Sequence, residues 1–84
     1  MSSDNANIKN DFGLPYDAKD IGRYINKLRR ERKLSMYQLA LDAGVTRAVL
    51  MRIEKGEREP RLNTLFKIID GLEMRPAEFF MVFN

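Results

Sequence analysis

The stretch SMYQLALDAGVTRAVLMRIEKG, residues 35–56, decides the fold. Ser35 can cap a helix with its hydroxyl, and Gln38 three residues later completes the capping-box pattern. Leu39, Ala40 and Ala43 then form the inner side of a short helix. Gly44 stands where the chain must turn sharply, and glycine takes a positive φ without a Cβ penalty. Thr46 caps a second helix, Arg47 to about Lys55, with Leu50 and Ile53 facing inward. Gly56 closes it. Small Ala40, the turn at Gly44 and apolar Val45 let two helices cross closely at a steep angle. This is a helix-turn-helix arrangement, whose second helix can enter the major groove of DNA.

With Leu50 and Ile53 inside, steps of about 100° per residue place Ala48, Met51, Arg52 and Lys55 on the open side. Arg47 sits at the exposed start of the same helix. The candidate base contacts are therefore Arg47, Ala48, Val49, Met51 and Arg52. An arginine can donate two hydrogen bonds to guanine O6 and N7, and the apolar residues can meet thymine methyls. The candidate backbone contacts are Ser35, Met36, Gln38 and Thr46 at the two helix starts, with Lys55, Arg58 and Arg61 beyond the second helix. Helix starts offer N–H groups and a positive dipole to phosphates. Arg58 and Arg61 lie in the charged loop Glu57–Arg61 and can hold the backbone or enter an adjacent minor groove, positioning the protein rather than reading sequence.

Working outward, Ile21, Ile25 and Leu28 fall on one stripe of a preceding helix, expected from Ala18 or Lys19 to Arg32 with Asp17 as N-cap. Gly22 inside it marks close packing. Downstream, Leu62, Leu65, Ile68, Ile69 and Leu72 have helical spacing and predict a fourth helix over 62–72. Pro76 is a favourable first residue for a short fifth helix carrying Phe79 and Phe80. Met81 to Asn84 could fray, extend that helix or form a short strand. The fold class is all-α, a compact domain of four or five helices over residues 18–80, with a C-terminal tail at 81–84. Residues 1–17 are polar and aperiodic and read as a flexible arm, which Phe12, Leu14 and Tyr16 could dock.

Composition narrows the chemistry. The chain of 84 residues has room for one domain and contains neither Cys nor His. That excludes disulfides, thiolate or His-based metal sites, and Ser-His or Cys-His catalysis. No carboxylate pair or EF-hand pattern stands out, so no cofactor, no metal and no enzymatic activity are expected. There is no signal-peptide pattern, and the longest apolar run, Phe79–Phe83, is too short to span a bilayer, so a cytoplasmic location is expected. From Ala18 to Arg61, twelve Lys or Arg stand against six Asp or Glu, while the rest of the chain is net acidic. A basic middle of this kind suits a polyanion, although a solvated helix face would carry similar charge.

The stretch IGRYINKLRRERKLSMYQLALDAGVTRAVLMRIEKGEREPRLNTLFKIIDGLEMRPAEFF, residues 21–80, resembles the Cro/C1-type (XRE-like) helix-turn-helix family. LRRERKLS, QLALDAGV, the IEKG helix end and PRLNTLFKI carry the resemblance. It implies a small lambda-repressor-like domain of five helices, usually a homodimer on palindromic operators. It also implies base contact by Arg47, Ala48 and Arg52, approach of Arg61 to a minor groove, and a buried ion pair between Arg29 and Glu54. The chain departs from the family at Met36, where a phosphate-bracing Gln is common, and at Arg61, where Ser or Thr usually caps the fourth helix. The apolar end Phe79, Phe80, Met81, Val82 and Phe83 exceeds the needs of so small a core and is expected to form a dimer interface.

The leading expectation is a sequence-specific, double-stranded-DNA-binding transcriptional regulator, a homodimeric repressor reading a palindromic operator. The alternative is an antitoxin or protein-interaction module of the same fold that binds a partner such as a toxin and autoregulates. The Tyr16-to-Ser35 stretch and TLFKIIDGLEM resemble the HipB-like antitoxins. No effector-binding domain follows within these residues, so regulation is expected through concentration, a partner protein or turnover.

Overall fold

A computed structural model describes residues 16–83. Five α-helices run in the order α1 (Ala18–Glu31), α2 (Met36–Ala43), α3 (Arg47–Glu54), α4 (Leu62–Gly71) and α5 (Pro76–Phe80), with a 3-10 turn over Met81–Phe83. The described residues form no strand, so the tail takes a helical turn rather than the short strand the sequence left open. The expected flexible arm lies outside the described residues up to position 15, but its last two members belong to the fold. Asp17 caps α1 by accepting from the N–H groups of Lys19 at 2.8 Å and Asp20 at 3.3 Å. Asp20 returns the bond, accepting from the Asp17 N–H at 2.9 Å. The reciprocal capping box therefore sits on α1, where the sequence reading foresaw only the cap.

At α2 the expected box is half made. Ser35 Oγ accepts the Gln38 N–H at 2.9 Å, but the Gln38 side chain donates to Asp42 one turn on, at 2.8 Å. The Gln38 side chain thus runs forward along the helix to its i+4 carboxylate instead of back to the Ser35 N–H. Thr46 caps α3 as expected, accepting the Val49 N–H at 3.1 Å. Arg61 precedes α4 without a side-chain cap bond.

The first four helices end alike. Each is followed by one residue with positive φ: Lys33 (57°), Gly44 (74°), Gly56 (76°) and Glu73 (60°). In each case two backbone bonds close the end, as in Leu34 N–H to Arg29 carbonyl and Lys33 N–H to Arg30 carbonyl, both at 3.0 Å. These are Schellman closures, and the next residue usually adds an apolar contact. Leu34, Val45 and Met74 do so by packing against the core. Glycine was legible at two of the four ends; Lys33 and Glu73 take the same conformation with a side chain attached.

The core is one cluster built from every helix: Ile25 and Leu28 of α1, Leu39, Ala40 and Ala43 of α2, Leu50 and Ile53 of α3, Leu65, Ile68 and Ile69 of α4 with Leu72, and Phe79 of α5. Helix α4 begins at Leu62, as the spacing predicts. Its side chain is 64% exposed and outside the core stripe. Phe79 is a correction to the expected dimer interface: it has no exposed surface, so it cannot face a partner subunit. Its ring is surrounded by Tyr24, Phe80 and Phe83, with centroids 5.0, 5.1 and 6.3 Å away. Tyr16 completes the cluster edge-on to Phe83, at 5.3 Å.

Two glycines set helix spacing. A Cβ on Gly22 would collide with the Ile53 carbonyl oxygen, so α1 and α3 touch backbone to backbone there. A Cβ on Gly71 would come within 3.0 Å of Ala43 Cβ, where α4 crosses α2. Gly22→Ala forces α1 off α3 and is expected to cost about 3 kcal/mol, as strong overpacking does. Urea unfolding followed by circular dichroism measures this; a midpoint equal to the parent's would contradict the close approach.

Candidate nucleic-acid interface

Helix α3 is held from behind by α1 and α2. Its buried residues are Leu50, Ile53 and Glu54. An acid among the buried residues needs partners, because an unpaired buried carboxylate is costly. Glu54 has three hydrogen bonds. Arg29 Nε donates to Oε2 at 2.8 Å, Arg29 Nη2 to Oε1 at 3.1 Å, and Asn26 Nδ2 to Oε1 at 2.7 Å. The Arg29 and Glu54 side chains retain only 13% and 3% exposure. Arg29 Nη1 also donates to the Leu34 carbonyl at 2.9 Å, tying the link before α2 into the same network. The ion pair implied by the family resemblance is thus present, and Asn26 is an added member that the sequence reading missed. Its signal was slight: a polar residue one turn before Arg29 on α1.

With that side fixed, the opposite face of α3 is open. Arg47, Ala48, Met51 and Arg52 are exposed, and so is Lys55 just past the helix end. Val49 differs from the other candidate base contacts. It is half-buried and packs against the core, so it supports the helix more than it presents surface. Ser35 and Thr46 are exposed at the starts of α2 and α3, with their hydroxyls engaged in capping. Gln38 is half-buried and occupied by Asp42. Met36 is half-buried against the core, and its thioether has no hydrogen to donate to a phosphate. Only its backbone N–H, at the first turn of α2, can serve that role.

Charge pairing varies over the surface, and on α1 the exposed Lys19 and Arg30 make no ion pair among the described residues. On α1, Arg23 lies 3.5 Å from Asp20 and Lys27 lies 3.8 Å from Glu31, besides the buried Arg29. Arg47, Arg52, Lys55, Arg58 and Arg61 are all exposed. Their side chains make no ion pair or hydrogen bond among the described residues. The open side of α3 and its following loop thus hold cations with unspent donors. Apolar Ala48 and Met51 lie between the arginines. Two guanidinium forks and an apolar strip at helical spacing match the donor and methyl pattern of base edges in a major groove. Among the described residues no group of acidic side chains is arranged to hold a metal ion, and no helix is long and apolar enough to cross a membrane.

The HTH_3 helix-turn-helix family model matches residues 25–79. The chain belongs to this helix-turn-helix family, of the Cro/C1 type. Among curated proteins it is 37% identical over 62 residues to the HTH-type transcriptional regulator SutR of Escherichia coli, covering 74% of this chain and 35% of that protein. It is 39% identical over 64 residues to the HTH-type transcriptional repressor RghR of Bacillus subtilis, covering 75% and 47%. The chain thus spans less than half the length of these relatives. Among solved structures, the restriction-modification controller protein C.AhdI from Aeromonas hydrophila superposes with a TM-score of 0.71 at 30% identity, covering 76% of this chain and 97% of that one. The controller protein C.Esp1396I, solved as a tetramer with its natural 35 base-pair operator, gives 0.75 at 26% identity, covering 77% and 86%.

Removing the Glu54 charge tests the support of α3. Glu54→Gln leaves Arg29 without its counter-ion and is expected to cost about 3 kcal/mol. The double variant Arg29→Met/Glu54→Leu is expected to lose less than Glu54→Gln, because no unpaired charge remains. Equilibrium denaturation of the three proteins checks both statements.

Proposed function

We propose that this domain binds double-stranded DNA in a sequence-specific manner and regulates transcription as a repressor, with α3 in the major groove. The observation that carries this reading is the exposed row Arg47, Ala48, Met51, Arg52 and Lys55, whose cations make no ion pair or hydrogen bond among the described residues. Family membership and the operator-bound controller protein support it. Arg47 and Arg52 read bases. Lys55, Arg58 and Arg61, with the amide ends of α2 and α3 beside Ser35, Met36, Gln38 and Thr46, hold the sugar-phosphate backbone. The protein works in the cytoplasm as a homodimer on a near-palindromic site. The exposed Phe80, Met81 and Val82 supply the apolar surface between subunits, and half-buried Phe83 stands behind them. In such a dimer the two α3 helices lie about 34–36 Å apart, one turn of duplex.

Selection of bound duplexes from a random pool is expected to enrich an inverted repeat with that spacing. Arg52→Ala is expected to lose about 1–3 kcal/mol and to relax preference at one base pair per half-site. A uniform loss on all sequences would make Arg52 a backbone contact instead.

Arg58→Ala and Arg61→Ala are expected to weaken binding on every duplex alike. Each should lower the slope of log affinity against log salt by about one unit per removed phosphate contact. Titrations across a salt series measure this, and an unchanged slope would remove both residues from the backbone set.

A further inference from the structure

Beside Arg47 lies a shallow depression of about 240 Å³ lined by Met36, Arg47, Ala48 and Met51. It spans the start of α2 and the first turns of α3. Met36 forms its floor, half-buried against the core, while Met51 is 38% exposed and Ala48 is open to solvent. Three of the four lining side chains cannot donate a hydrogen bond, and the fourth is an arginine whose side chain has no partner among the described residues. An apolar recess next to a guanidinium fork matches one local pattern in a major groove. That pattern is a pyrimidine C5-methyl one base step from a guanine, since guanine accepts through O6 and N7 and the methyl is the apolar feature of the groove floor.

We infer that Met36, Ala48 and Met51 form a receptor for the C5-methyl group of a pyrimidine, thymine or 5-methylcytosine, adjacent to a guanine held by Arg47. The inference rests on the proposed DNA binding and specifies what the same helix reads. Met36 becomes a specificity-determining residue rather than a phosphate brace. Methionine suits the task, because its unbranched thioether adapts to the shape of an incoming methyl.

The test uses the duplex selected above, so that sequence-specific binding is established before this question is asked. Each thymine of one half-site is replaced in turn by deoxyuridine, which removes only the methyl. One position is expected to lose about fourfold in affinity, the worth of one buried methyl group. That position should neighbour the guanine whose preference disappears in Arg47→Ala. At the same position, 5-methylcytosine is expected to exceed cytosine by a similar factor, which shows that the methyl and not the rest of the ring is read. Met36→Gln is expected to reduce both ratios to near one while thermal unfolding confirms that the variant folds. Met51→Gln serves as a second variant. Indifference of every position to loss of the methyl would overturn the inference while leaving sequence-specific binding standing. Methyl discrimination that persists in both Met36→Gln and Met51→Gln would overturn it too, by placing the methyl elsewhere.

Discussion

A single buried carboxylate fixes the working helix. Glu54 ends α3 on its inner side and is held by two guanidinium nitrogens of Arg29 and the amide of Asn26. A greasy contact alone would leave α3 free to roll about its own axis by small angles. Three directed bonds to one carboxylate do not, because rotation lengthens at least one of them and strands a buried charge. The backbone contact at Gly22 adds a distance constraint on the same pair of helices. Together they set both the spacing and the azimuth of α3, and so determine which of its side chains face outward.

The outward face inherits its chemistry from that constraint. Leu50, Ile53 and Glu54 occupy the inner arc, so Arg47, Ala48, Met51 and Arg52 are left outside. On α1, Lys19 and Arg30 are likewise exposed and make no ion pair among the described residues. There the exposed cations Arg23 and Lys27 lie beside acids three or four residues away, and such surface pairs contribute little to stability. On α3 and its loop the cations have no such neighbours among the described residues, even though Glu57 and Glu59 lie close in sequence. Leaving donors unpaired costs almost nothing in water, and it keeps them available to a ligand that supplies acceptors.

Most of this was legible in the sequence because helix periodicity and capping are local. Asp17, Ser35 and Thr46 cap as their side chains dictate, and helix ends fall within a residue of expectation. What escaped was of two kinds. Long-range partners escaped because periodicity says which face is inner but not what it meets: Asn26 on Glu54 and Tyr24 against Phe79 are pairs far apart in sequence. Competing local partners also escaped. Gln38 had a choice between the N-terminus of its helix and Asp42, and it took Asp42. Val49 belongs with these, since a residue at the edge of the inner arc is assigned to either side by small rotations of the helix.

The closures at Lys33 and Glu73 have a consequence for how firmly this small domain holds together. Both residues carry a side chain in the left-handed region, where an L-residue other than glycine pays about 1 kcal/mol. Neither lies on α3. The domain therefore keeps an unclaimed reserve of robustness at two exposed helix ends, neither of them on α3. Glycine there would let the fold absorb a destabilising change elsewhere, so that the residues that choose a target are free to vary without the scaffold giving way.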